Sequence, residues 1–326
     1  MVWLPQPRMP DPVAIGIDLG GTQVRVALVQ GGRVLARASE PTDVAGGPEA
    51  VLRQFARLTE KVTARADPLD IIGVGVASPG PLDSGTGTII DIPTLPGWSG
   101  FPLRDMLTKQ MRLPVVLEND GIAAAFGEWR HGAGQGLRHL VYVTVSTGIG
   151  GGVIIDDRVL RGRRGMAGHV GHMPVVLDGP VCSCGGQGCF EALASGRALG
   201  RAARAGVASC PDSRLSAEPP DILSAQHVVA AARQGDALAL RLLDDEARYL
   251  GLGFTGLIHL FSPEAVIMGG GVSQAFDLLS PGIHSGIQER AMAAFRNVRV
   301  LKAGLGENSG LIGAAALALD IEGATA

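Results

Sequence analysis

Three cysteines crowd into Cys182-Ser183-Cys184-Gly185-Gly186-Gln187-Gly188-Cys189, with His172 ten positions upstream and Glu191 two positions downstream. Thiolates on a glycine-rich turn that folds back on itself supply three of the four soft ligands that a tetrahedral zinc requires, and His172 is the natural fourth. Buried free thiols are the plainer reading, but they need neither this spacing nor the intervening glycines. Zinc held by His172, Cys182, Cys184 and Cys189 has no open position for water. Its expected role is therefore to stiffen a loop, and any catalysis must come from elsewhere.

Glycine turns are the second chemical signal. Asp18-Leu19-Gly20-Gly21-Thr22 joins two apolar runs, Ala14 to Asp18 and Val24 to Val29, and reads as a hairpin with a glycine tip. The pattern recurs where Leu140 to Val145 leads through Ser146-Thr147-Gly148-Ile149-Gly150-Gly151-Gly152 into Val153 to Ile155, and Gly269-Gly270-Gly271 follows a third strand, Ala265 to Met268. Such turns let backbone amides point at an anion, and a carboxylate beside them, as at Asp18, can hold magnesium. One such turn is weak evidence; three favour a phosphate ligand. None ends in the Gly-Lys-Ser/Thr of a Walker A loop, and Gly73-Val74-Gly75 lacks the third glycine of a dinucleotide fingerprint.

The third signal is Glu118-Asn119-Asp120-Gly121, between the apolar run Val115 to Leu117 and an alanine-rich helix. A carboxylate in a first helical turn is favoured in its ionised form by the helix dipole and can accept a hydroxyl proton. On the residues alone, Asn119 and Asp120 serve equally as helix caps.

The surrounding elements must position these groups. Helical spacing of apolar residues runs over Glu49 to Ala66, Leu103 to Met111, Ile122 to Arg130, Glu191 to Ala205, Ala237 to Leu260 and Leu311 to Leu319. Strands alternating with helices predict an α/β architecture, and two hairpins of one design predict a duplicated fold. Ser209 to Asp221, rich in proline, serine and acid, reads as a mobile surface loop. With 326 residues and 46% hydrophobic content, the chain can bury a large core in two lobes. A net charge of −3 argues against a nucleic-acid partner. The basic run Arg158 to Arg164 reads as a solvated loop, with a polyanionic donor as the other reading. Met1 to Pro12 has neither a basic n-region nor an apolar run, so no signal peptide or membrane anchor is expected. Cys210 has no obvious partner. That cysteine usage fits a reducing, cytoplasmic setting.

Asp18-Leu19-Gly20-Gly21-Thr22, the run Thr144 to Gly152 and the cluster Gly168 to Glu191 together resemble the ROK family of sugar kinases and sugar-responsive repressors, over about residues 13 to 319. The resemblance implies the actin-like ATPase (ribonuclease H-like) fold, duplicated, with two lobes and a central cleft. The expected division is an N-terminal lobe over 13–120, with a C-terminal helix at about 309–322 packing back on it, and a C-terminal lobe over 121–308 carrying the zinc loop. It further implies ATP and Mg2+ at Asp18, Gly20, Gly21, Thr22, Thr147, Gly148, Gly270 and Gly271. Asp120 becomes the base, Asn119 a sugar ligand, and Glu191 and His172 contacts to sugar hydroxyls, although Glu191 reads equally as an N-terminal helix acid. Gly80, in Ser78-Pro79-Gly80, either brings an amide near the sugar or is a plain turn. The repressors carry a winged helix ahead of the first glycine turn, whereas about a dozen residues precede it here, so an enzyme is expected.

One position departs from many relatives. His169-Val170-Gly171-His172 stands where Glu-x-x-His is frequent, and an imidazole has one acceptor where a carboxylate has two oxygens. The segment Pro93 to Leu103 looks like the glucokinases, while a histidine at 169 is shared with bacterial N-acetylmannosamine kinases. The expected reaction is phosphorylation of a hexose 6-hydroxyl, glucose first and N-acetylmannosamine as the alternative, by a homodimer or homotetramer.

Overall fold

The computed structural model describes residues 11–64 and 71–320, so the readings placed on Met1 to Pro10, on Arg65 to Ala66 and on 321–322 lie outside the described residues. The chain divides into two compact units, one running to Asn119 and resuming at Leu311, the other running from Asp120 to Gly310.

The first unit opens with β1 (Val13–Leu19), β2 (Gln23–Gln30) and β3 (Arg33–Pro41), continues through α1 (Gly47–Thr63) to β4 (Ile71–Ser78), and forms a small hairpin from β5 (Leu82–Asp83) and β6 (Thr88–Ile89). It closes with α2 (Leu103–Met111) and β7 (Val115–Asn119). Its sheet has the order β3-β2-β1-β4-β7, antiparallel among the first three strands and parallel thereafter. Strand alternation sorts β1 and β4 into two faces. Val13, Ile15, Ile17 and Leu19, with Val74 and Val76, join the core that also takes Val51, Phe55, Leu58 and Val62 from α1. Each of those α1 side chains contributes roughly 1.5–3 kcal/mol by leaving water.

The second unit begins without a loop, because β7 runs directly into α3 (Asp120–His131). It then builds β8 (Leu140–Val145), β9 (Ile149–Ile155) and β10 (Arg158–Val159), and the helices α4 (Phe190–Ala194), α5 (Gly196–Val207), α6 (Ala225–Arg233) and α7 (Ala237–Phe261). The strand β11 (Ala265–Gly269), the helix α8 (Phe276–Arg290) and β12 (Arg299–Lys302) complete it. The sheet order β10-β9-β8-β11-β12, with the same sequence of antiparallel and parallel pairings, repeats the first. Val141, Val143 and Val145 face the α5–α8 core, whereas Leu140 and Tyr142 face Ala124 and Ala125 of α3.

The chain ends in α9 (Ser309–Leu319), whose Leu311 onward belongs to the first unit. This helix lies against the other face of β1 and β4 so closely that a Cβ at Gly16 or Gly75 would strike the carbonyls of Leu311 or Ala314. Gly73-Val74-Gly75 thus makes room for a helix backbone, which accounts for its departure from a nucleotide fingerprint.

Several elements differ from their sequence reading. The helix expected over Glu191 to Ala205 is two, broken at Ser195, whose Oγ accepts from the amide of Ala198 and starts α5. Residues 209–221 are not simply a mobile loop. They hold two 3-10 turns (Arg214–Ala217 and Pro220–Ile222), bury Leu215, and are pinned where Ser213 Oγ and the Arg214 amide donate to Asp236. The sequence pattern does not predict β3, β12, α6, α8 or the two-residue strands β5, β6 and β10, the last of which lies in the basic run expected to be a loop; in α8, Pro281 interrupts the pattern.

A single buried carboxylate ties α3 to the chain after β12. Glu128 accepts from the amides of Ala133, Gly304 and Leu305 and from Ser309 Oγ, all at 2.8–2.9 Å. Replacing it with alanine removes a buried charged acceptor from three backbone amides and the Ser309 hydroxyl, and Glu128→Ala is expected to lower stability by about 3 kcal/mol. Denaturant unfolding followed by circular dichroism measures this, and a loss below about 1 kcal/mol would contradict the pinning role.

Candidate active site and metal centre

The cysteine loop folds as its glycines require. The Cys182 amide donates to Gly186 O and the Gly185 amide to Cys182 O, closing a tight turn, while Val181 and Gln187 bridge across it. Gly188 sits at φ +69 with Val176 O where a Cβ would lie, so no side chain fits there. Cys182 Sγ is 3.6 Å from His172 Nδ1, Cys184 Sγ is 3.8 Å from Cys189 Sγ, and all four ligand atoms lie within 4.8 Å of one another. A tetrahedron with Zn–S of about 2.3 Å and Zn–N of about 2.05 Å has S···S edges of about 3.8 Å and N···S edges of about 3.6 Å. The donor set fits zinc in number, chemistry and spacing. Without a cation, burial first and then the neighbouring thiols push Cys189 up to about 12, whereas the Gly186 backbone lowers Cys184. A divalent ion reverses the penalty on clustered thiolates.

Binding through Nδ1 leaves the Nε2 of His172 for other partners, and as N–H it donates. His169 stacks beside it, ring centroids 6.4 Å apart. Its Nδ1 lies 3.0 Å from Met166 O, an atom that only accepts, so in the neutral ring the proton is on Nδ1 and Nε2 is an acceptor. The pair presents one donor and one acceptor.

Backbone contact with β9 positions these side chains. A methyl group at Gly121 would come within 2.6 Å of Gly151 N and O, one at Gly168 within 2.8 Å of Gly151 O, and one at Gly171 would strike Ile149 O. Asp120, His169 and His172 are the immediate chain neighbours of those three glycines. Glu191 joins the same strand differently, its Oε2 accepting from the Ile149 amide at 2.9 Å and its Oε1 from Ser183 Oγ at 3.0 Å. It links the Thr147-Gly148 turn to the zinc loop, a role that spacing gave no sign of. Asp120 Oδ1 accepts from the Gly121 amide at 2.8 Å, orienting the carboxylate at the start of α3.

The glycine turns of the second unit converge. Ser146 donates its amide to Gly148 O and accepts from the Gly196 amide, and a Cβ at Gly271 would be 3.7 Å from Ser146 Oγ. Gly270, at φ +83, has its carbonyl held by Ser273 Oγ.

The first unit holds the remaining residues. Thr42 ties the first glycine turn from outside, its Oγ1 donating to Gly20 O and its amide to Thr22 O, and Gly20 commits its own amide to Gln23 O. Asp18, buried, pairs through Oδ2 with Arg25 at 2.6 Å. Burial raises its pKa, opposed by the charges of Arg25 and Arg37. Sequence reasoning missed Arg25, although the hairpin register places it opposite Asp18. Thr94, from the segment Pro93 to Leu103, lies against Gly21. Ser78 pairs with Asn119 across β4 and β7, so the turn through Gly80 leaves the sheet beside Asn119.

Among the described residues, no helix is long and apolar enough to cross a membrane. The chain is 38% identical over 313 residues to a glucokinase of Thermotoga maritima, covering 95% of this chain and 98% of that one. It is 34% identical to an N-acetylmannosamine kinase of Citrobacter koseri, over 93% and 98%. Among solved structures it is similar to a ROK family glucokinase from Streptomyces griseus in complex with glucose and AMPPNP, at 36% identity, with a TM-score of 0.84 over 94% of this chain and 99% of that one. The duplicated sheets are those of the actin-like ATPase fold, in two lobes. With the ROK family model matching residues 14–321 as well, the chain belongs to the ROK family.

Proposed function

We propose that this protein is an ATP-dependent hexose kinase whose principal substrate is glucose, phosphorylated at the 6-hydroxyl. The observation that carries this is the alignment of Asp120, His169, His172 and Glu191 along one glycine-bearing strand that begins at the Thr147-Gly148 turn. Sugar hydroxyls need fixed donors and acceptors, and phosphoryl transfer needs an oriented hydroxyl more than a strong base. Asp120, with Oδ1 fixed by the Gly121 amide, takes the proton of the attacking 6-hydroxyl as that oxygen bonds to the terminal phosphorus and the bond to the departing ADP breaks. Asn119 and the Gly80 turn, neighbours across β4 and β7, bind the sugar with Glu191 and the two histidines. Gly21, Thr22, Thr147, Gly148, Gly270 and Gly271 hold the nucleotide through backbone amides and hydroxyls, and Gly20, its amide bonded to Gln23 O, fixes the first turn. Asp18, paired through Oδ2 with Arg25, holds magnesium. Bound magnesium supplies charge neutralisation and alignment of the phosphates. His172, Cys182, Cys184 and Cys189 hold zinc, which supplies rigidity to the loop. Similarity to the glucokinases supports glucose as the sugar. A second reading, N-acetylmannosamine as the substrate, draws on His169, and a cytoplasmic homodimer or homotetramer completes the proposal.

A coupled assay with ATP on a hexose panel tests the substrate. Glucose is expected to exceed N-acetylmannosamine by about tenfold or more in kcat/KM, the scale that a few pocket contacts deliver. The reverse order selects the second reading, and sugar binding with no turnover selects a regulator. Asp120→Asn keeps the bond from Gly121 and is expected to cut kcat by about 10²–10⁴-fold with glucose affinity nearly intact; near-normal turnover by a folded variant rules out Asp120 as base. Metal analysis is expected to find about one zinc per chain, lost in His172→Ala together with glucose binding. Retention of glucose affinity after metal loss would leave the zinc loop without a part in the sugar site.

A further inference from the structure

A cavity of about 260 Å3 opens beside the Thr147 turn, lined by Thr147, Ser183, Glu191, Ser195, Arg197 and Arg201. Most of its polar groups are already committed. The first amides of α5 go to Ser146 O, Thr147 O and Ser195 Oγ, so the helix start has little left to offer a ligand. Both Glu191 oxygens accept, one from Ser183 Oγ, and Arg201 donates to Ala192 O at 2.6 Å. The guanidinium of Arg197 has no partner among the described residues, nor has the Thr147 hydroxyl. Arg197 stands four residues before Arg201 on one face of α5, so two cations border the cavity against one carboxylate that is already bonded on both oxygens.

A guanidinium fork and a hydroxyl beside a glycine turn match a tetrahedral oxyanion better than a neutral sugar ring. We infer that Arg197 is a phosphate-binding residue of this enzyme, pairing in this cavity with a phosphoryl group, the terminal phosphate of the donor before transfer or the same group on the sugar product after it. The inference rests on the kinase reading above. Arg201, anchored to Ala192, holds the second charge in place.

Isothermal titration of wild type and Arg197→Gln with a non-hydrolysable ATP analogue, ADP and glucose 6-phosphate, all with magnesium, tests it. The substitution is expected to weaken the analogue about threefold to fivefold while ADP binds as before, because an exposed charge pair is worth about that much. Arg197→Lys should regain part of the loss by keeping charge without the fork. If glucose 6-phosphate alone weakens, the pairing is with the product's phosphate. Equal weakening of ADP and analogue, or phosphate ligands bound as by wild type, overturns the assignment, provided that the variant's thermal midpoint matches wild type. A midpoint that falls shifts the comparison to Arg197→Lys, where unchanged binding of all three ligands overturns it equally. A wild type that binds no nucleotide and turns over no hexose defeats the kinase reading itself, a result distinct from an unaffected variant.

Discussion

The site depends on backbone meeting backbone without side chains between. From Ile149 to Gly152, β9 is a strand whose surface is nearly bare, and Gly121, Gly168 and Gly171 lean on it from separate segments. A strand glycine costs roughly 0.5–1 kcal/mol against alanine through lost chain entropy, and it packs nothing. Here that loss is offset by position, because each glycine contact fixes the direction of the residue next to it. Precision in such a site comes from peptide planes, which have few degrees of freedom, instead of from long side chains.

The duplicated sheets apply one device to two ends. In the first unit, the bare positions Gly16, Gly73 and Gly75 admit α9, a helix rich in alanine. In the second, Gly152 admits α3, which is alanine-rich as well but carries Asp120 at its first position. The same layer thus serves packing in one half and also aims a carboxylate in the other. Charge follows a similar division. The burial cost of a charged Asp18 is opposed by arginines of its own sheet, whereas the buried Cys189 thiol has only its neighbouring thiols around it and needs an ion to favour its charged form.

The zinc quartet, the glycine turns and the strand-to-helix junction at Asp120 were legible in the sequence because their chemistry is written in residue type over short spans. The helix Leu103–Met111 was read to its ends for the same reason. What stayed hidden was pairing over distance. Glu191 finds the Ile149 amide across 42 positions and Glu128 finds Gly304 across 176, and no local pattern announces either. Ser195 broke an apparently continuous helix because a serine followed by glycine suits a cap as well as an interior turn, and only the Ala198 bond decides between them. Arg197 escaped notice for the opposite reason, since one arginine on an exposed helix face looks like any other until its neighbours' bonds are known.

His169 draws a boundary with an evolutionary meaning. Its loop is anchored through Gly168 on the strand and through Met166 O on the ring, yet the imidazole itself is exposed and its stacking contact is with His172 alone. If His169 meets a sugar hydroxyl as proposed, a lineage could exchange that one side chain and alter which hydroxyl pattern is welcomed while the architecture stays untouched. Diversification of sugar preference within such a scaffold then requires no refolding, only a change of codon at a place where stability exerts little veto.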